Sequence, residues 1–195
     1  MIPFLIGLAG LSGAGKSTLT DHLEMQGGVK RFRLDAFYKD ESECPVVKGI
    51  VHWDLPDSLH MDDVYQTLLS IKRGEDVFIP VYNRGQNKRI GNILYKPAPV
   101  VFAEGLMLFS DQRVRELFDL RIWLDVSEEL ALQRRLERQP YYDLNYYHNV
   151  AKLAAREHVL PNKQFAHECI NGHESMVEVT AKADFLINKY LFSET

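Results

Sequence analysis

Short apolar runs alternate along the chain with stretches in which apolar residues return every three or four positions. The runs at Pro3–Ala9, Pro99–Ala103, Leu120–Asp125 and Ala183–Ile187, with a weaker one at Lys30–Leu34, predict buried strands. Helical spacing over Ser17–Met25, Met61–Lys72, Asp111–Phe118 and Glu128–Arg138 predicts helices between most of them, and Gln26-Gly27-Gly28 stops the first. Strand and helix in alternation imply a parallel sheet with helices on both faces. Residues 79–95 break that rhythm. Asn83, Gly85 and Gly91 mark turns there, which predicts an inserted β-hairpin over about 79–97. With no internal repeat, low-complexity tract or linker, residues 1–195 read as a single domain. Loops at the strand ends of such a sheet are where ligands bind.

Composition narrows the function classes. The 195 residues are 46% hydrophobic and 26% charged, enough for one sizeable core. The 23 Lys and Arg against 27 Asp and Glu give a net charge of -4, with no long basic run to neutralise a row of phosphates, so no nucleic-acid partner is expected. Cys44 and Cys169 are far apart and show no CxxC spacing, which excludes a disulfide framework and a zinc site and fits the reducing cytoplasm. Met1–Ala9 lacks the basic start of a signal peptide, and no stretch is long enough to span a bilayer. The expected partner is a small molecule; a homo-oligomer is left open.

The strongest chemical signal is Gly10-Leu11-Ser12-Gly13-Ala14-Gly15-Lys16-Ser17, followed by Thr18. It matches the phosphate-loop pattern G-x-x-x-x-G-K-[ST] between an apolar strand and a helical period. Glycines let the backbone turn N–H groups inward, and the following helix adds the positive end of its dipole, so the loop can hold a polyphosphate. Lys16 would reach the terminal phosphates, and the Ser17 hydroxyl would ligate magnesium, which prefers oxygen.

A phosphate loop names a nucleotide, not a reaction. A GTPase should carry N-K-x-D after a late strand, but Asn188-Lys189-Tyr190-Leu191 lacks the carboxylate. A transporter-type ATPase should carry L-S-G-G-Q, which is absent. A small-molecule kinase using ATP or GTP remains, and two strand ends support it. Asp35 follows the Lys30–Leu34 run, where a carboxylate facing the loop can accept a hydroxyl proton; a helix cap or turn aspartate is the plain alternative. Glu104 ends the Pro99–Ala103 run, the layout of an acid that orients magnesium.

These residues resemble the uridine/cytidine kinase family, within the group that also holds nicotinamide riboside kinase, pantothenate kinase and phosphoribulokinase. The likeness runs over most of the chain. It includes the phosphate loop, Asp35-Ala36-Phe37-Tyr38-Lys39, Trp53-Asp54-Leu55-Pro56-Asp57-Ser58, Pro80-Val81-Tyr82, Glu104-Gly105, Arg134-Arg135-Leu136-Glu137-Arg138 and the late run Ala183–Ile187, which looks like the family's last strand. The resemblance implies a three-layer α/β P-loop fold with a five-stranded parallel sheet and a short helical lid over about 134–147. It implies Asp35 as the base for the acceptor's 5′-hydroxyl, Ser17 and Glu104 as magnesium ligands, and Asp54, with Trp53 beside it, as the reader of the ribose hydroxyls. Arg135 and Arg138 would be lid arginines that neutralise the transferring phosphoryl group or pair with Asp54. Tyr38 and Tyr82 would line the acceptor pocket. The acceptor implied first is uridine or cytidine, and second nicotinamide riboside; a nucleotide-binding regulatory protein without transfer is the reading from another class.

Two departures bear on the acceptor. The family's pyrimidine kinases read Y-D-F-x-x-H-x-R after Pro-x-Tyr, and here Arg84 stands for the phenylalanine and Asn87 for the histidine, so the base reader is gone or rebuilt. The lid lacks R-G-R-D and continues as Gln139-Pro140-Tyr141-Tyr142-Asp143. Tyr141, Tyr142, Tyr146 and Tyr147 read as lid packing ahead of a stacking platform for a flat ring.

Overall fold

The computed structural model describes residues 2–192; Met1 and 193–195, which the single-domain expectation includes, lie outside the described residues. Five strands form the central sheet: β1 (Phe4–Ala9), β2 (Val29–Arg33), β7 (Val100–Glu104), β8 (Leu120–Asp125) and β9 (Glu168–Asn171). Their order is β2-β7-β1-β8-β9, and every neighbouring pair is parallel. β1, β7 and β8 are buried along almost their whole length, as strands covered on both faces must be. Helix α1 (Lys16–Gln26) packs against α7 (Met176–Leu191), and α2 (Met61–Lys72) against the short α3 (Gln112–Arg115). A small ribbon, β3 (Val46–Val47) with β4 (Ile50–Val51), precedes α2. The expected insertion is the antiparallel hairpin β5 (Val77–Asn83) and β6 (Lys88–Tyr95). After α4 (Glu128–Arg138), short α-helical pieces α5 (Leu144–Tyr146) and α6 (Lys152–Ala154) join wider π-type turns. Among the described residues no helix is long and apolar enough to cross a membrane.

One predicted element is wrong. Ala183–Ile187 is not a strand but the middle of α7, and the fifth strand is Glu168–Asn171. The five-residue window conceals a longer helical period, because Val179, Thr180, Ala183, Leu186 and Ile187 are buried while Phe185 faces solvent. The helix start is written just upstream: the Ser175 hydroxyl accepts from the Glu178 N–H at 3.3 Å and the Glu178 carboxylate accepts from the Ser175 N–H at 2.9 Å, a capping box. The true edge strand carries no apolar run, because Ile170 is its one fully buried residue. Ser175→Ala is expected to cost about 1 kcal/mol, a fall of roughly 2–4 °C in Tm for a chain of this size, measurable by thermal unfolding.

Candidate active site

Sheet register brings three segments to one edge. Glu104, the last residue of β7, lies level with Leu8 on one side and Arg33 on the other. The chain leaving β1 enters the phosphate loop, and the chain leaving β2 enters a single 3-10 turn, Leu34–Phe37, that carries Asp35. A Cβ on Gly105 would lie 2.4 Å from the Leu34 Cβ. Glycine at that position therefore lets the turn bearing Asp35 pass close beside Glu104. The site sits at the carboxyl ends of the strands, where open α/β sheets bind ligands.

At the phosphate end, α1 starts from Gly15 with no side chain capping it, so its first N–H groups face the cavity unclaimed by a side chain. Gly13 has φ +95°, and a Cβ there would come 2.1 Å from the Ala131 carbonyl oxygen of α4, so the loop can be this tight only with glycine. Lys16 is buried, and its Nζ donates to the carbonyls of Gly10 and Leu11, each at 2.9 Å, leaving one of its three protons for a ligand. Burial pushes the Lys16 ammonium down from its ordinary range, against the pull of Glu104 and Asp35. A bound polyphosphate restores what burial removes. Arg134 braces the loop from α4, donating to the Ala14 carbonyl at 3.2 Å and the Gly172 carbonyl at 3.0 Å.

The donor set fits magnesium. The Ser17 hydroxyl donates to the Glu104 Oε1 at 2.9 Å, which gathers two hard oxygen groups beside the loop. Burial raises the Glu104 carboxyl above its ordinary range even though Lys16 and the Ser17 hydroxyl oppose it. A buried carboxylate with too little positive charge around it favours a cation.

At the other end of the cavity, the buried Asp54 accepts from the Tyr146 hydroxyl at 2.8 Å, and the Tyr146 hydroxyl oxygen in turn accepts from the Trp53 N–H at 3.1 Å. Burial, with the Asp54 charge adding to it, pushes the Tyr146 phenol up, so it remains a donor to the carboxylate. Tyr38 meets Trp53 edge-on at 6.1 Å between ring centres and packs at a tilt against Tyr82 at 5.8 Å, forming an aromatic wall. Arg135 lies over the Tyr142 ring at 4.0 Å and makes no hydrogen bond to Asp54, so the pairing expected as one of its two roles is absent and Tyr146 stands in its place. Arg138 is pushed down by burial and then by the neighbouring Arg135 and Arg84, a cluster of cations that an anion would relieve.

Ser12, Gly13, Gly15, Lys16, Ser17, Thr18, Asp35, Tyr38, Trp53, Asp54, Tyr82, Glu104, Arg135 and Arg138 line one cavity of about 700 Å³, within the span of small-molecule sites. Gly10 and Ala14 do not line it; their carbonyls hold Lys16 and Arg134 from behind. Residues outside the expected site set also join the lining, among them Arg84, Arg134, Tyr142 and Tyr146. Arg84 pairs directly with Asp35. Asn87 also lines the cavity, and its Nδ2 donates to Glu41 at 2.5 Å.

The family model of the phosphoribulokinase/uridine kinase family matches residues 5–146. The chain belongs to that family. A uridine-cytidine kinase 2-B from Danio rerio is 32% identical, covering 91% of this chain and 76% of that one. A uridine kinase from Leuconostoc citreum is 29% identical, covering 96% and 94%. Among solved structures, a possible uridine kinase from Bacillus stearothermophilus superposes with a TM-score of 0.64 at 18% identity, covering 88% of this chain and 90% of that one. That likeness supports the fold alone: the three-layer α/β P-loop arrangement expected from the sequence. Family membership agrees with the expectation of a phosphotransferase.

Proposed function

We propose that this chain moves the γ-phosphoryl group of ATP to the 5′-hydroxyl of a ribonucleoside, uridine or cytidine first. The observation that carries the reading is the meeting of Lys16, Glu104, Asp35 and Asp54 in one cavity. Asp35 accepts the hydroxyl proton as the acceptor oxygen bonds to phosphorus and the bond to the β-phosphate oxygen breaks. Asp54 holds the ribose hydroxyls, because two carboxylate oxygens suit a vicinal diol. Lys16, Arg135 and Arg138 offset the charge of the transferring group. Ser17 and Glu104 would hold magnesium, which when bound supplies further neutralisation of the phosphates. Nicotinamide riboside is the second acceptor, since the wall of Tyr38, Trp53 and Tyr82 offers flat faces to any planar ring. A regulatory protein without transfer would have no need of Asp35 beside Lys16 and Glu104. The test is ADP release by purified protein with uridine, cytidine, nicotinamide riboside and pantothenate, with phosphorus NMR of the product. Release stimulated by none of the ribosides, or phosphate on an oxygen other than the 5′, would end the reading.

A further inference from the structure

One contact that the sequence did not foretell is the pair between the Arg84 guanidinium and the Asp35 carboxylate. Arg84 supplies the hydrogen bond that Asp35 accepts among the described residues, and it comes from the hairpin, not from the sheet edge that carries the rest of the site. The hairpin tip is anchored. The Asn83 side chain accepts from the N–H groups of Gly85 and Gln86 at 2.9 and 3.1 Å, the Asn87 carbonyl accepts from the Glu41 N–H at 3.0 Å, and the Arg89 N–H donates to Asp40 at 2.8 Å. A guanidinium on that tip is therefore held over the carboxylate from a fixed base.

We propose that Arg84 is a positioning residue that occupies the Asp35 carboxylate while the acceptor site is empty, so that water cannot use this base, and that the acceptor hydroxyl reaches Asp35 by displacing it. The inference rests on Asp35 being the base of the proposed transfer. Water needs excluding because the cavity, about 700 Å³, is far larger than the roughly 30 Å³ that one water takes in the liquid. In the unwanted reaction a water oxygen bonds to the γ-phosphorus, the bond to the β-phosphate oxygen breaks, and the water proton passes to Asp35, giving ADP and phosphate. A carboxylate engaged by a guanidinium has less of its oxygen available for that proton. Displacement is cheap, because the Arg84 side chain is 63% exposed and the Asp35 side chain 39%. Exposed pairs shift an equilibrium by no more than about fivefold, which an acceptor held at Asp54 and the aromatic wall can outweigh.

The experiment measures ADP release from magnesium-ATP without acceptor and with uridine, for the parent, R84Q, R84K, D35N and R84Q combined with D35N. R84Q is expected to raise acceptor-free hydrolysis about three- to fivefold and to lower KM for uridine by a similar factor. R84K, which keeps the charge, is expected to stay within about twofold of the parent without acceptor, and adding D35N to R84Q is expected to return hydrolysis to the parent level or below. An acceptor-free rate in R84Q equal to or below the parent, in protein with an unchanged melting curve, overturns the proposal, as does a higher rate that persists when D35N is added. The two readings fail separately. If D35N alone abolishes transfer to uridine while R84Q leaves acceptor-free hydrolysis untouched, the guard role falls and the base stands; if D35N alone transfers at the parent rate, the base assignment falls first.

Discussion

Asp35→Asn is expected to lower kcat for phosphoryl transfer by about a hundred- to ten-thousandfold, the usual worth of a general base, with KM for ATP within about twofold of the parent. The asparagine keeps the size of the side chain and one acceptor oxygen, so the acceptor can still be placed, but it cannot take the proton. Fold and donor binding should survive. Asp35 sits in a short turn after β2, and its pair with Arg84 is exposed, so losing it costs at most about 1 kcal/mol. In the proposed function the donor is gripped by groups on the other segments: the amide-lined loop, Lys16 and the Ser17–Glu104 pair. Steady-state kinetics with ATP and uridine varied in turn separate the two effects, since a change in kcat with constant KM marks an interaction made only in the transition state. A parent-like kcat would remove Asp35 from the chemistry and leave Arg84 paired with an ordinary surface carboxylate.

What could be read in advance was what lies close together along the chain. The phosphate loop needs eight adjacent residues, and its glycines, lysine and serine serve it almost wherever the rest of the protein goes. Glu104 was legible for a similar reason, because an apolar run that ends in an acid places the acid at the carboxyl edge of a parallel sheet. The contacts that shape the acceptor end join distant segments: Arg84 to Asp35, Tyr146 to Asp54, Arg134 to the Ala14 carbonyl. Nothing in the local pattern around Tyr146 separates a hydroxyl that holds Asp54 from one that packs in a lid, since both need only an aromatic ring at a helix start. Arg84 was visible as a departure, but its partner depends on where the hairpin folds back. The misread last strand has another cause. Five residues of which four are apolar satisfy a strand and a buried helix equally, and only the wider window, with Ser175 and Glu178 at its head, distinguishes them.

Asp54→Ala should act on binding of the acceptor, not on the rate of chemistry. Each ribose hydroxyl bonded to a carboxylate contributes about 1.5–3 kcal/mol as a hydrogen bond to a charged group, so KM for the riboside is expected to rise about 10- to 100-fold while kcat moves less than about threefold. Part of that cost is indirect, because Asp54 also accepts from Tyr146 and its loss leaves that phenol without its carboxylate. Substrate analogues resolve the two contributions. In the parent, 2′-deoxyuridine lacks one of the hydroxyls assigned to Asp54 in the proposed function and should show a KM raised about tenfold over uridine. In Asp54→Ala the same deletion should change little, since the group that read the hydroxyl is gone. Tyr146→Phe provides the control: it keeps Asp54 and should keep the discrimination against the deoxy analogue. If Asp54→Ala discriminates as strongly as the parent, the ribose is held elsewhere in the cavity, and the Asp54–Tyr146–Trp53 network is a brace between the lid and the loop that precedes α2.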